Sequence, residues 1–351
     1  MKTAVFLIVI SLVELAAYLV IAHTLRAKNG KKPRRLLAAL CFAAVFLLTL
    51  RFAMFPPHKE LPVSGGCEVA STDYWVTEEQ EDPYLGGGRL RQLQVRKWYP
   101  ANGEAQSIVI VASHGSCGTA DNNLSLYKEL ASRGYTVLAV VHPGQAAKVT
   151  YENGKSAGPS MRFLKQMSAG SGADPAYLYE VFREWMDIRT GDLNAVMDDY
   201  AKKEGAGQFL VMGHSLGGSA AYAMARIRTD VVGCIALEAP FLYDIKGVQD
   251  GKYVFDSRDY DIPLLNVYSD SSFPHLRELP QYENNVKFLA PGAANCTNLH
   301  YEGVGHMGLC DLSIYSPLLA AMLDRDIQKT DAYAQLETLN ADCVAWIERN
   351  F

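Results

Sequence analysis

The chain has 351 residues, of which 49% are hydrophobic and 20% charged; these proportions exclude wholesale disorder and allow one large domain or two small ones. A formal net charge of −5 offers no basic footprint for nucleic acid. The charge is uneven. Residues 1–55 hold eight Lys/Arg and one acid, Glu14, which leaves 25 basic and 37 acidic groups, a net of −12, in residues 56–351.

Two apolar runs account for the basic end. Residues 4–22 carry one charge, Glu14, and residues 36–53 are interrupted only by Arg51. Each has the length of a membrane-spanning helix. The stretch between them, 23–35, holds Arg26, Lys28, Lys31, Lys32, Arg34 and Arg35 and no acid, which puts it in the cytoplasm and everything beyond about residue 56 outside. The expectation is a transmembrane hairpin over 1–55, a linker over 56–81 and a catalytic domain over 82–351, on the outer side of the cell membrane. Glu14 is costly in lipid and is expected to face the second helix or to be protonated. The seven cysteines show no metal-like pairing, and buried thiols are the expected state.

In the outer part strand and helix signals alternate. Residues 89–99 alternate like an antiparallel edge strand, and 107–112 (SIVIVA) read as a strand covered on both faces. Residues 124–133 read as a helix stopped by Gly134, 135–141 as a buried strand and 185–204 as a long helix. A strand over 208–212 precedes a helix over 215–228. Further strands are expected at 231–237, 263–268 and 299–302, and helix from 316 to 350. Such alternation predicts an α/β domain, a mostly parallel sheet with helices on both faces. Residues 144–177, rich in Gly, Ser, Ala and Lys, break the rhythm and read as a cap-like insertion beside the ligand-binding edge of the sheet. Its aromatics Tyr151, Phe163 and Tyr177 are candidates for lining a pocket or for plain packing.

The sharpest signal is Gly213-His214-Ser215-Leu216-Gly217-Gly218, between a strand and a helix. That is the context of a G-x-S-x-G nucleophile turn, in which the serine sits at the apex and the helix start aims N–H groups at developing negative charge. Serine needs a base, and His306, in Gly303-Val304-Gly305-His306-Met307-Gly308 just after a strand, is the expected one. His275 and His300 read as structural or exposed, and His214 as packed beside the turn. The acid that orients the imidazole has two candidates at strand ends, Glu238 and Asp270, with Asp311 and Asp244 weaker. An oxyanion hole would use the backbone N–H of Leu216 and that of Ser116, in the loop Ser113-His114-Gly115-Ser116-Cys117-Gly118. His114 is expected to stabilise that loop, and Cys117 lacks a base motif.

These segments resemble the α/β-hydrolase superfamily, and within it the platelet-activating-factor acetylhydrolase-like and dienelactone-hydrolase-like esterases. The likeness covers roughly residues 96–316, through Trp98-Tyr99-Pro100, Ser113-His114-Gly115, the turn at 213–218, Ala236-Leu237-Glu238-Ala239 and the loop at 303–308. It implies Ser215 as nucleophile, His306 as base and Ser116 as backbone donor. The acetylhydrolase-like members put the acid in a Leu-Asp-Ala context that Leu237-Glu238-Ala239 imitates with Glu for Asp; the dienelactone-hydrolase-like members put it after the next strand, matching Asp270. The membrane hairpin is not part of the family pattern. The expected function is a membrane-anchored serine ester hydrolase, carboxylesterase or lipase-like, acting on a small-molecule or lipid ester through an acyl-enzyme, with no metal or organic cofactor and no nucleic-acid partner. The rivals are an acyltransferase or peptidase with the same residues and a non-catalytic binding module of the same fold.

Overall fold

The structure, a computed structural model, describes residues 2–27, 32–170, 172–290, 293 and 295–351. Two helices open the chain, α1 (Lys2–Ala27) and α2 (Lys32–Met54), so helix extends into both ends of the expected 23–35 loop. Lys28 and Lys31 of that loop lie outside the described residues. The helices pack antiparallel: the ring of Tyr18 stacks on Phe42 at 4.8 Å, and Thr49 donates to the Glu14 carboxylate at 2.5 Å. Glu14 thus faces the second helix and gains the partner that an acid in an apolar helix needs. Among the described residues one stretch, Leu36–Met54, is long and apolar enough to cross a membrane; the apolar part described for α1, Val9–Leu25, is shorter.

The domain is built on an eight-stranded sheet: β1 (Val69–Glu81), β2 (Leu90–Pro100), β3 (Ile108–Ser113), β4 (Thr136–Val141), β5 (Gln208–His214), β6 (Val231–Leu237), β7 (Leu264–Ser269) and β8 (Cys296–Tyr301). Their spatial order is β1-β2-β4-β3-β5-β6-β7-β8. β1 and β2 run antiparallel, and β4 through β8 are parallel to one another. The central strands are unbroken apolar runs because both faces are covered. Val109, Val111, Phe209 and Val211 point into one core, with α5 (Pro175–Glu204) and α6 (Leu216–Ile227). Ile110, Ala112, Leu210 and Met212 point into the other, with α3 (Leu124–Ser132) and the C-terminal helix Ala332–Asn350. That division follows the two-residue period of a strand.

Three expectations need correction. Residues 69–81 are not linker but β1, the true edge strand; β2 lies inside the sheet. The reading failed because one face of β1 is polar and solvated, as an edge strand's face is, while Val76 on the other is buried in the core. Residues 56–68 are also held: Lys59 N–H donates to the Tyr333 hydroxyl at 3.1 Å and Ser64 N–H to Glu129 at 2.7 Å. The helix expected from 316 to 350 is two, Pro317–Leu323 and Ala332–Asn350. They are parted by Arg325 and Asp326 with positive φ, and the second is capped by Asp331, which accepts from the amides of Tyr333 and Ala334. Within the insertion, helix α4 (Met161–Ser168) forms and α5 begins at Pro175, ten residues before the expected start. Asp174 caps α5 by accepting from Ala176 and Tyr177.

If β1 is part of the fold, Val76→Asp buries an unpaired charge in the core and lowers stability by about 3 kcal/mol, read as the urea midpoint of the full chain in detergent; no shift would return 69–81 to linker.

Candidate active site

The turn from β5 to α6 is made by one residue. Ser215 has φ 56° and ψ −126°, a region that costs a non-glycine residue about 1–3 kcal/mol. The neighbours enforce it. A Cβ on Gly217 would lie 2.0 Å from the Ser113 carbonyl oxygen, and one on Gly213 would lie 2.2 Å from the Gly217 backbone, so β3, β5 and α6 approach closer than side chains allow. Ser215 N–H is tied to the Leu237 carbonyl at 2.9 Å. Its hydroxyl makes no capping bond to α6 and no other hydrogen bond among the described residues, so capping does not explain the serine.

His306 follows β8 and is carried to this turn. Its ring lies 4.5 Å, centroid to centroid, from that of His214, the residue before Ser215, and its carbonyl accepts from His214 Nε2 at 3.0 Å. Its amide donates to Ser271 Oγ at 2.9 Å, and the next amide, Met307 N–H, donates to both oxygens of Asp324 at 3.0 Å. On the ring's other side Nδ1 stands 3.6 Å from Glu238 Oε1, an ion-pair separation slightly beyond hydrogen bonding. Glu238 is buried and Oε2 accepts from Ser269 N–H at 2.9 Å. Its backbone, like that of Ser215, has a positive φ, 52°.

Asp270, the other candidate acid, is not brought to this ring. Its Oδ1 accepts from His300 Nε2 at 2.8 Å and its Oδ2 from Gly303 N–H at 2.7 Å. With both oxygens so occupied, it ties the end of β7 to β8 and the root of the His306 loop. Asp311 accepts from Ser125 at the start of α3, Asp244 pairs with Arg226, and exposed His275 pairs with Glu278.

Electrostatics separate the histidines. Burial holds His214 down at about 3, with His306 beside it adding to the effect, and holds His114 well below the ordinary value. His306 is the exception. Burial pulls it down, but Glu238, aided by Asp324, more than offsets that and raises it above 6.5. Glu238 itself is lowered: burial opposes ionisation, and His306 and the Ser269 amide outweigh it.

Two amides in the segments around the serine have no hydrogen-bond partner among the described residues. Leu216 is the first residue of α6, where an N–H has no carbonyl one turn back. Ser116 N–H makes no hydrogen bond, whereas Cys117 N–H donates to Gln145 O at 2.9 Å and Gly118 N–H to Gly115 O at 3.1 Å. A Cβ on Gly115 would lie 3.4 Å from Ser215 Cβ, so the loop borders the turn. Cys117 is strained, with φ 54°, and burial pushes its thiol up, the wrong direction for a nucleophile. All seven cysteines are free thiols.

The insertion contributes to a cavity of about 410 Å³ whose walls include Met167, Pro175, Leu178, Phe182, Trp185 and Tyr253. Phe182, Trp185 and Tyr253 share an apolar cluster with Leu216 and Cys117, while Ser215 and His306 do not line the cavity itself. Phe163 is buried in that cluster, Tyr151 packs elsewhere and Tyr177 is exposed. Sequence reading missed the supports of His306. Ser271 could have been found from the polar run Ser269-Asp270-Ser271-Ser272 after β7; nothing in the sequence marks Asp324.

Residues 108–335 match the α/β hydrolase family. The "probable 1-alkyl-2-acetylglycerophosphocholine esterase" of Arthroderma benhamiae is 28% identical over 171 residues, 47% of this chain and 40% of that one, so the match spans less than half of that relative. The ferulic acid esterase from Streptomyces cinnamoneus superposes with a TM-score of 0.62 at 19% identity, over 84% of this chain and 94% of that one, a likeness of fold. A dienelactone-hydrolase-like promiscuous phosphotriesterase from metagenomic libraries reaches 0.47 at 14% identity, over 80% and 98%. With the sheet order, the strained serine turn and a family match over most of the domain, the chain belongs to the α/β hydrolase family.

Proposed function

We propose that this chain is a membrane-anchored serine ester hydrolase. The observation that carries the reading is a histidine from 91 residues downstream, packed beside the residue that precedes a strained serine and standing 3.6 Å from a buried carboxylate. In the mechanism Ser215 Oγ attacks the ester carbonyl carbon while His306 Nε2 takes its proton. Glu238 holds Nδ1 and stabilises the imidazolium. The carbonyl oxygen becomes an oxyanion between the amides of Leu216 and Ser116. Collapse breaks the bond to the alcohol, which leaves with the proton from His306. Water then attacks the acyl-serine, giving its proton to His306; the bond to Ser215 Oγ breaks, His306 returns the proton to Oγ and the acid is released. The cavity at Trp185 and Phe182 would take an apolar part of the substrate.

The relative's name specifies an ester, and the ester class is what we carry over to this chain. The apolar, unburied stretch Leu36–Met54 and the basic connection before it support anchoring, with the catalytic domain on the extracytoplasmic side.

Ser215→Ala is expected to abolish fluorophosphonate labelling and to cut p-nitrophenyl acetate turnover by at least about 10³-fold; unchanged turnover would refute the nucleophile, and transfer to an added alcohol outrunning hydrolysis would favour an acyltransferase. Because a base must be neutral and His306 is raised, kcat/KM should climb with pH through a midpoint above 6.5. In Glu238→Gln burial acts unopposed by that charge and the midpoint should fall; an unmoved midpoint would remove Glu238 from the role. For topology, Ser64→Cys should react with an impermeant maleimide on intact cells, and reaction only after lysis would place the domain inside.

A further inference from the structure

Arg189, on α5, is one of the largest fully buried side chains in the protein, and it lies beneath the loop that follows β3. Its Nε donates to Gln145 Oε1 at 2.7 Å. Nη1 donates to Ser113 Oγ at 3.1 Å and to the His114 carbonyl, and Nη2 approaches the Gly115 carbonyl at 3.4 Å. The bonds around it admit one arrangement of protons. Asp192, paired with Arg91 at 2.5 Å, accepts from His142 Nδ1 at 2.7 Å. His142 Nε2 is then an acceptor and takes the Ser113 hydroxyl proton at 2.8 Å, which leaves Ser113 Oγ free to accept from Arg189. His142 N–H donates to His114 Nε2 at 3.1 Å, so His114 carries its proton on Nδ1 and gives it to the Gly115 carbonyl at 2.6 Å. Ser113, His142 and Asp192 reproduce a nucleophile–base–acid chain, but all three are sealed from solvent. No substrate reaches them, so the chain's consequence is structural.

That consequence falls on one peptide plane. The carbonyl of Gly115 and the amide of Ser116 belong to the same rigid unit and point in opposite directions. The carbonyl is held by His114 Nδ1 and Arg189. The following amide, of Cys117, is held by the Gln145 carbonyl, while the Gln145 side chain holds Arg189. Ser116 N–H, between these fixed points, is left to face away from the guanidinium. We propose that Arg189, with His114, Gln145 and the His142–Asp192 pair behind it, is a positioning residue that fixes the Gly115–Ser116 peptide so that the Ser116 N–H is preset to receive the substrate oxyanion. The proposal rests on the ester-hydrolase reading for its consequence in catalysis, but its structural half is independent of it. Burial lowers the guanidinium only to about 9, so it remains a cation at neutral pH. Four acceptors converge on it, a set that a lysine ammonium cannot span at once.

The test uses the full chain in detergent with Arg189→Lys and Arg189→Met, read by amide hydrogen exchange over residues 113–118 and by p-nitrophenyl acetate kinetics. Exchange in that segment is expected to rise several-fold in both variants while β6 and β7 stay protected. The kcat is expected to fall roughly 10- to 100-fold with KM within about twofold, short of the roughly 100- to 1,000-fold cost of deleting an oxyanion donor. Lysine should not restore kcat. If Arg189→Met fails to fold, Gln145→Leu removes one anchor of the guanidinium and should move both readouts the same way. Unchanged exchange over 113–118 in a folded variant overturns the proposal whether or not the chain hydrolyses esters, and so does full kcat in Arg189→Lys. Raised exchange in a chain whose wild type shows no Ser215-dependent hydrolysis upholds the positioning role and removes the function proposed for it.

Discussion

The constraint on which the rest depends is steric. A strand must become a helix through one residue, with a neighbouring strand close enough that its Ser113 carbonyl would collide with any side chain at position 217. That crowding puts Ser215 at positive φ, lifts its hydroxyl off the helix it precedes and leaves the first amide of α6 without a partner. Strain of this kind persists only where surrounding packing over-determines it. Here the supports are two layers of core on either side of the parallel strands, joined to the turn by the Ser215–Leu237 backbone bond. Of the other strained residues, Cys117 and Glu238 lie in the two loops that face the same turn.

Electrostatics then assign different work to similar residues. Three histidines near the site, His114, His142 and His214, are buried, each lowered chiefly by desolvation. As neutral rings each can donate from one nitrogen and accept at the other, and two of them form a fixed relay under the Ser113–Ser116 loop. The third donates to the His306 carbonyl and leaves its other nitrogen unpaired. His306 is the one raised, because Glu238, 3.6 Å from its ring, and Asp324 outweigh burial, whereas His142, although bonded to the buried Asp192, is held down by burial together with Arg189 and Arg91. The contrast is set by the charges that stand beside each buried ring.

Much of this was legible in the sequence. The parallel strands were readable because burial on both faces makes them continuous apolar runs, and the serine turn because its glycines are a steric necessity. The choice between Glu238 and Asp270 was not readable: both end neighbouring strands, and only the fold reveals that His300 and Gly303 occupy Asp270. β1 escaped because an edge strand with a wet face alternates too weakly to stand out from a loop. Arg189 could not be distinguished from the surface charges of a long helix, since nothing local marks which basic residue turns inward. The two N-terminal helices were readable as helices from their apolar runs, and the Glu14–Thr49 bond gives the acid in the first of them a partner.

The most direct measurement is a crystal structure of the protein after reaction with a fluorophosphonate. The account predicts a phosphonyl group on Ser215 Oγ, with its oxygen about 2.7–3.1 Å from the amides of both Leu216 and Ser116 and the His306 ring held between Ser215 and Glu238. An unmodified Ser215, or an adduct whose oxygen contacts neither amide, would contradict it.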